Sequence, residues 1–514
     1  MNSAYAVSAV TLVCLATLVI GAVGLRLSRT TSDFYVASRV VSPGWNASAI
    51  CGEYLSAASF LGVAGLVYTN GVDMLWYPVG YTVGYLVLLV LVAAPLRRSG
   101  AYTLPDFAEA RLESRAVRLM ASLLVVGIGW LYLLPQFQGA GLTLATVAGA
   151  PPWVGRTVVA AIVLAAVGAG GMRSITFVQA VQYWIKLTAI SIPAFILLWA
   201  WARGGQPTPW DAGGGTLTEW SLPLVGHGPR QHATYATYST LLALCLGTMG
   251  LPHVLVRFYT NPDGRAARRT TVTVITLLGA FYVFTPVYGV LGRIYLPSLG
   301  AGVRADSVTL LLPQAVVPGV LGDVLGAVLA GGAFAAFLST ASGLTVSVTG
   351  VIDQDLIDPL LSRHIGGDTT RIQQFRIASV VAVAVPYVAS SVTPEVPLAD
   401  VVGLAFAVAA STFCPLLLLG VWWPRLSVPG AAAGMLTGGL LASAAALATM
   451  FGVGGSGWAG ALLAQPAAWT IPIAFAVSVI VSLATPSRVP AGALRTMVRL
   501  HAPEALTGAA GPVA

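Results

Sequence analysis

Charge is what this chain has least of. Only 9% of its 514 residues are Asp, Glu, Lys or Arg, against roughly 25% in soluble domains, so it cannot cover itself with a water-facing surface. A single lysine, Lys186, stands among 26 basic residues. The four cysteines (Cys14, Cys51, Cys245 and Cys414) all fall inside apolar runs. They offer neither a disulfide framework nor metal-ligand spacing and read as small apolar side chains. Of the five histidines, His227, His232, His364 and His501 are scattered through loops and the tail. With no nucleophile–base pair, metal-ligand cluster or phosphate loop, nothing supports an enzyme or a resident cofactor. The net charge of +8 is not gathered on one basic face, so nucleic acid is not an expected partner.

What the chain has instead is hydrocarbon: 57% hydrophobic residues and a mean hydropathy of +0.83. Apolar runs of about 20 residues, the length that spans a bilayer core, recur from end to end. They predict an all-α polytopic membrane protein, residues 1–514 forming one domain. About 13 spans are expected, at 4–26, 43–68, 73–96, 116–147, 152–170, 174–202, 236–258, 270–296, 320–350, 371–393, 397–420, 428–451 and 467–485. The first run has no basic region before it and reads as a retained helix rather than a signal peptide. Most arginines fall on one side of these spans, which predicts the N-terminus outside and the C-terminus inside.

Between the spans, 204–234 is long and rich in Gly and Pro, and is expected to cap the outer mouth. Residues 100–115 are amphipathic, with Pro105 and Asp106 opening a helix. The tail after Ser487 carries no motif.

Two spans are interrupted by small residues, at Ser48–Gly65 (SAICGEYLSAASFLGVAG) and Leu244–Phe258 (LCLGTMGLPHVLVRF). Helix breakers at membrane depth are tolerated where they line a buried cavity, and paired breaks in two halves point to a transporter binding site. Each break opens a run of five spans, and the two runs start on opposite sides. This predicts a five-plus-five inverted repeat: 43–202 and 236–420, with an extra helix at 4–26, two more at 428–485 and a cytoplasmic tail at 486–514. The glycines Gly430, Gly434 and Gly438 read instead as a tight helix-packing face. The 333–356 segment, AFAAFLSTASGLTVSVTGVIDQDL, is apolar but studded with hydroxyls and ends at Asp353 and Asp355. In lipid such hydroxyls bond to backbone or coordinate an ion, and this helix is expected to hold a cation.

These segments resemble the sodium/solute symporters, and within them the cation/acetate (monocarboxylate) branch. The motifs that carry the resemblance are GEYLSAASFLGVAGLVYTNGVD at 52–73, YTLPDFAEARL at 102–112, LYLLPQFQGAG at 131–141, GGMRSITFVQAVQ at 170–182, GTMGLPHVLVRFYT at 247–260 and the 333–356 helix. The resemblance implies a LeuT-like core with alternating access and a sodium site between the first broken helix and the 333–356 helix. Its ligands would be the carbonyls of Gly52, Leu55 and Ala336 and the hydroxyls of Ser339 and Thr340, a neutral set of hard oxygens suited to sodium. Acetate-transporting members sometimes lack this hydroxyl pair, so its presence points to sodium rather than a proton. Where many members have an aspartate on the cation's inner route, this chain has Gln179. A second cation site is therefore in question.

The expected substrate pocket is lined by Ser56, Ala57 and Ser59 of the first break, Gln136, and Gly247, Thr248 and Gly250 of the second. No motif arginine is expected at depth, so a small carboxylate would be held by N–H groups and hydroxyls. Glu53 stands between a cation or proton role and a pairing role. Lys186 is read as structural, snorkelling or paired with an acid, and His253 more readily as a hydrogen-bonded structural histidine than as a proton shuttle; Glu53, Gln179 and His253 are the candidate cation- or proton-coupling residues. The expected activity is symport of sodium (alternatively a proton) with a short monocarboxylate such as acetate, propionate or pyruvate; the alternative is another small solute, an amino acid, vitamin or sugar, on the same fold. Lipid, the solute and the cation are the expected partners, with no obligate protein partner.

Overall fold

The computed structural model describes residues 3–27, 42–209, 221–224, 232–259, 264–300, 302–358, 368–453 and 455–502, and the regular structure among them is helical. The chain opens with α1 (Ser3–Leu27) and α2 (Pro43–Tyr54), then passes through a π turn at Ala58–Gly62 into α3 (Val63–Asn70). It continues through α4 (Trp76–Leu91), α5 (Ala93–Ser99), α6 (Leu104–Leu112), α7 (Arg115–Ala148) and α8 (Pro152–Arg203). After α9 (Ala233–Gly247) and α10 (Pro252–Tyr259) come α11 (Gly264–Tyr282), α12 (Thr285–Tyr295) and the short α13 (Val308–Val316). The remainder is α14 (Val320–Val351), α15 (Asp368–Val392), α16 (Leu398–Trp422), α17 (Val428–Met450), α18 (Gly457–Ala464), α19 (Ala467–Ala484) and α20 (Ala493–His501).

Ten helical runs among the described residues are long and apolar enough to cross a bilayer, and the chain is a multi-pass membrane protein. Thirteen uninterrupted spans are not found among the described residues. The broken segments divide into pieces too short to span alone, and of the spans expected at 152–170 and 174–202 the second is one of the ten, Ser174–Arg203, while the first is a shorter apolar helix, Pro152–Gly168. The tail read as featureless holds α20, while most of 204–234 lies outside the described residues.

Both interruptions are present, for different local reasons. At the first, Leu55 leaves helical geometry (φ −73°, ψ 89°) and the helix resumes through the π turn. At the second, Thr248–Gly250 tighten to a 3₁₀ turn and Leu251 is extended (φ −80°, ψ 120°). Pro252 explains the second: it lacks an N–H and disfavours helical backbone in the residue before it. The amphipathic helix also starts as expected. Thr103 and Asp106 form a reciprocal cap, Asp106 N–H donating to Thr103 Oγ1 at 3.2 Å and Thr103 N–H to Asp106 Oδ2 at 3.0 Å.

Two helices form the centre, α14 and α16, the latter buried over 89% of its most apolar stretch. The outer pair, α17 and α19, packs through the glycine face: a Cβ at Gly430 or Gly434 would overlap the hydroxyls of Ser482 or Ser478, and one at Gly438 the carbonyl of Ser411. At the other terminus α1 is tied to α8, with Ser174 Oγ donating to Gly21 O at 2.8 Å and Gln182 Nε2 to Thr17 Oγ1 at 2.9 Å.

Candidate cation and solute site

The first break, α8, α10 and α14 converge on one buried polar cluster. Backbones approach closely enough that glycine is required: a Cβ on Gly52 would overlap the carbonyl of Gln179, and one on Gly343 the carboxylate of Glu53. Into this cluster α14 brings Ala336, Ser339 and Thr340, spaced so that they share a face. Ser339 Oγ donates to Ala336 O at 3.1 Å and Thr340 Oγ1 to Glu53 O at 2.6 Å. The five residues expected around sodium are thus neighbours, at a place where the end of α2 leaves carbonyls without helical partners.

A side chain already binds there. The ammonium of Lys186, on α8, donates to Gly52 O, to Leu55 O at 2.8 Å and to Ser339 Oγ at 2.8 Å. Lys186 is fully buried. It neither snorkels nor pairs with an acid, which corrects the sequence reading. Glu53 is engaged elsewhere: Arg257 Nε donates to its Oε2 at 2.9 Å. The same guanidinium donates to Thr176 Oγ1 and Gln179 Oε1, and Gln179 Nε2 donates to Ser339 O at 2.9 Å. Arg257 is 1% exposed, so the expectation of no motif arginine at depth does not hold. That arginine faces a protein carboxylate.

Beside this polar cluster the two breaks enclose an aromatic one. Gln136 Oε1 accepts from Ala57 N–H at 3.0 Å, fixing the first break. Ser59 Oγ and Tyr282 Oη are 2.8 Å apart, Tyr54 Oη and Thr248 Oγ1 3.2 Å. Tyr81 stacks on Tyr282 (centroids 5.7 Å) and meets Phe406 at 5.3 Å; Tyr132 stacks on His253 at 5.2 Å and faces the Ser56 hydroxyl. The hydroxyls of Tyr81 and Tyr85 and both ring nitrogens of His253 have no hydrogen-bond partner among the described residues, although buried polar groups ordinarily find one. His253 is therefore not the hydrogen-bonded structural histidine expected. Gly247 and Gly250 serve close packing, since a Cβ on either would overlap the backbone of Phe406 or Ala409 on α16.

The sequence reading missed Arg257, the tyrosine ring and the place of Lys186. One signal for the last was available: Gln179 and Lys186 lie seven residues apart, two helical turns, on one face of a mainly apolar span.

A helical bundle with two breaks that meet beside a buried cation is the plan of LeuT-like secondary transporters, where solute and ion sites are built from discontinuous helices. Residues 34–438 match the sodium:solute symporter family. The chain belongs to that family. It is 32% identical to the uncharacterized symporter YwcA of Bacillus subtilis (strain 168) over 434 residues, 84% of each chain. It is also 32% identical to the monocarboxylic acid transporter of Corynebacterium glutamicum over 485 residues, 88% of this chain and 86% of that one. Among solved structures it resembles a Na+-coupled sialic acid symporter in a substrate-bound outward-open state (TM-score 0.71, 17% identity, 94% of this chain and 97% of that one). It also resembles Mhp1, a nucleobase-cation-symport-1 family transporter (TM-score 0.54, 12% identity, 92% and 99%).

Proposed function

We propose that the chain is a secondary active symporter that takes up a short-chain monocarboxylate such as acetate, propionate or pyruvate with an inward-moving cation, sodium or a proton, across the plasma membrane of a prokaryote. The observation that carries this reading is the set of buried polar groups without partners, on Tyr81, Tyr85 and His253, where the two helix breaks meet. A carboxylate needs several hydrogen-bond donors, and hydroxyl and ring N–H groups supply them. The two nearby cations, Lys186 and Arg257, are spent on protein oxygens, so a strongly basic clamp is not available to a larger polyanion. The likeness to a monocarboxylic acid transporter agrees with a small acid.

Ser56, Ala57, Ser59, Gln136 and Thr248 contribute the walls in this reading, and the backbone at Gly247 and Gly250 the turn that shapes them. The repeats 43–202 and 236–420 would rock about the site, with the N-terminus outside and the C-terminus inside. A cavity of about 560 Å³ lined by Thr69, Asn70, Asp400 and Gln465 lies at the end the arginine distribution places outside. Tyr77 Oη donates to Asp400 at 2.8 Å and its ring meets Tyr81 at 6.2 Å, which links that vestibule to the aromatic cluster.

The test is uptake of radiolabelled acetate by proteoliposomes under imposed cation gradients, with propionate, pyruvate, amino acids, vitamins and sugars as competitors. The expected outcome is concentrative uptake inhibited by the short monocarboxylates alone. No acetate uptake, with inhibition or uptake confined to another solute class, would assign the fold to that solute instead.

A further inference from the structure

The oxygens that would hold the family's sodium ion are in place, and a lysine is using them. An ammonium carries three N–H groups. Lys186 spends all three on Gly52 O, Leu55 O and Ser339 Oγ, three of the five oxygens the ion would need. A sodium ion could reach them only by displacing a like charge from its hydrogen bonds, in a buried place where that charge has no water to retreat to. Glu53, the acid nearest in sequence to these oxygens, is not free to receive the displaced ammonium, because it is bound by Arg257. The other groups around the lysine are Cys51 on α2, which faces it, Tyr183 on its own helix, whose hydroxyl donates to Leu277 O at 3.0 Å, and the hydroxyls of α14.

We propose that the side chain of Lys186 is a tethered cation that takes the place of sodium between the first helix break and α14, so that this symporter neither binds sodium there nor needs it for uptake. This deepens the symport reading by naming its cation, and it stands against the sodium expectation drawn from Ser339 and Thr340. Those two hydroxyls serve the ammonium and the backbone instead: Ser339 Oγ accepts from Lys186 while donating within α14, and Thr340 clips α14 to Glu53 O. The geometry also explains how the break at Leu55 is held with its carbonyls paired. The ammonium bonds both Gly52 O and Leu55 O from one point, as an ion would.

Two measurements on the purified full-length chain test this. The first is thermal unfolding in detergent with sodium chloride or choline chloride at equal ionic strength. A protein that binds sodium only when folded gains stability with sodium concentration. Wild type is expected to show no sodium-specific shift, whereas Lys186→Ala, which leaves the three oxygens open, is expected to acquire one. A saturable sodium shift in wild type overturns the proposal, and so does a folded Lys186→Ala protein indifferent to sodium. The second is acetate uptake in proteoliposomes with sodium replaced by choline on both sides under an inward proton gradient. The rate is expected to be unchanged, and loss of uptake without sodium overturns the proposal. If Lys186→Ala does not fold, both wild-type arms still decide. If no monocarboxylate is transported, the functional reading fails while the unfolding arm continues to test the lysine.

Discussion

The ion pair of Glu53 and Arg257 lies within a buried polar network, and its energetics are those of a pair taken out of water. Removing one partner of such a pair leaves an uncompensated charge and costs about 3–5 kcal/mol, while replacing both with apolar groups is often tolerated. Glu53→Gln is therefore expected to destabilise the protein by roughly that amount, read as a lowered midpoint of unfolding in detergent. Glu53→Gln combined with Arg257→Met is expected to recover much of it. A single mutant as stable as wild type would mean that the acid is not held by the arginine and would return Glu53 to a cation-carrying role. Gly343→Ala probes the same contact sterically, since its Cβ would overlap the Glu53 carboxylate; it is expected to lower the same midpoint. At this scale the sequence revealed which residues are special more readily than whom they touch. Glu53, Gln179, Ser339 and Thr340 stand out as polar groups in apolar spans. Their partners, Arg257 and Lys186, depend on how closely α8 and α10 approach α2, and that is set by glycines whose neighbours no linear pattern names.

Elements were more legible. The helix breaks follow from local chemistry, Pro252 acting on Leu251 and small residues flanking Leu55, and the capped start of α6 follows from Thr103, Pro105 and Asp106. The packing face of α17 was equally readable, and the structure distinguishes two of its three glycines. At Gly438 an added Cβ would meet the backbone carbonyl of Ser411, which cannot move without shifting α16. At Gly434 the nearest atom is the Ser478 hydroxyl, which can rotate. Overpacking costs typically about 1–3 kcal/mol. Gly438→Ala is expected at the upper end of that range and Gly434→Ala near or below its lower end, measured by unfolding midpoints in detergent; the reverse order would mean that α16 yields more easily than a serine rotamer. Less legible were the elements that owe their existence to tertiary contacts. Helix α20 is short, with Ala493 and Leu500 as its buried residues, and its last carbonyls are met by Arg98 Nη1 at 3.4 Å. Arg111 closes the end of α16 in the same way, donating to Gly420 O at 2.8 Å and Trp423 O at 3.1 Å. Neither role can be read from spacing along the chain, because donor and acceptor lie hundreds of residues apart.

Besides the buried Glu53–Arg257 pair, the described residues form a charge network at each end of the bundle, and alternating access would require each to part in its turn. At the end the arginine distribution places outside, Arg304 binds Asp306 at 2.7 Å and Glu395 at 3.6 Å, and burial pushes the Asp306 carboxyl up from its ordinary range while Arg304 pulls it back. At the other end Arg118 binds Asp106 at 2.8 Å, Glu109 at 2.6 Å and Asp355 at 2.7 Å. That single guanidinium joins the amphipathic α6, the start of α7 and a π turn at Ile352–Ile357 that follows α14, so the helix that carries Ser339 and Thr340 is latched at its charged exit. Partly exposed pairs contribute about 0.2–1 kcal/mol each, so removing all three with Arg118→Ala should shift the balance between states by on the order of 1–3 kcal/mol toward opening at that end. The shift can be read in a chain stripped of its four cysteines and given Val125→Cys, a buried position two turns along α7 from Arg118. Adding Arg118→Ala should speed labelling of that cysteine by a maleimide reagent and slow acetate uptake, because a transporter biased to one side returns less often to the other. If labelling and uptake both stay as they were, the latch lies elsewhere and Arg118 only staples α6 to α7.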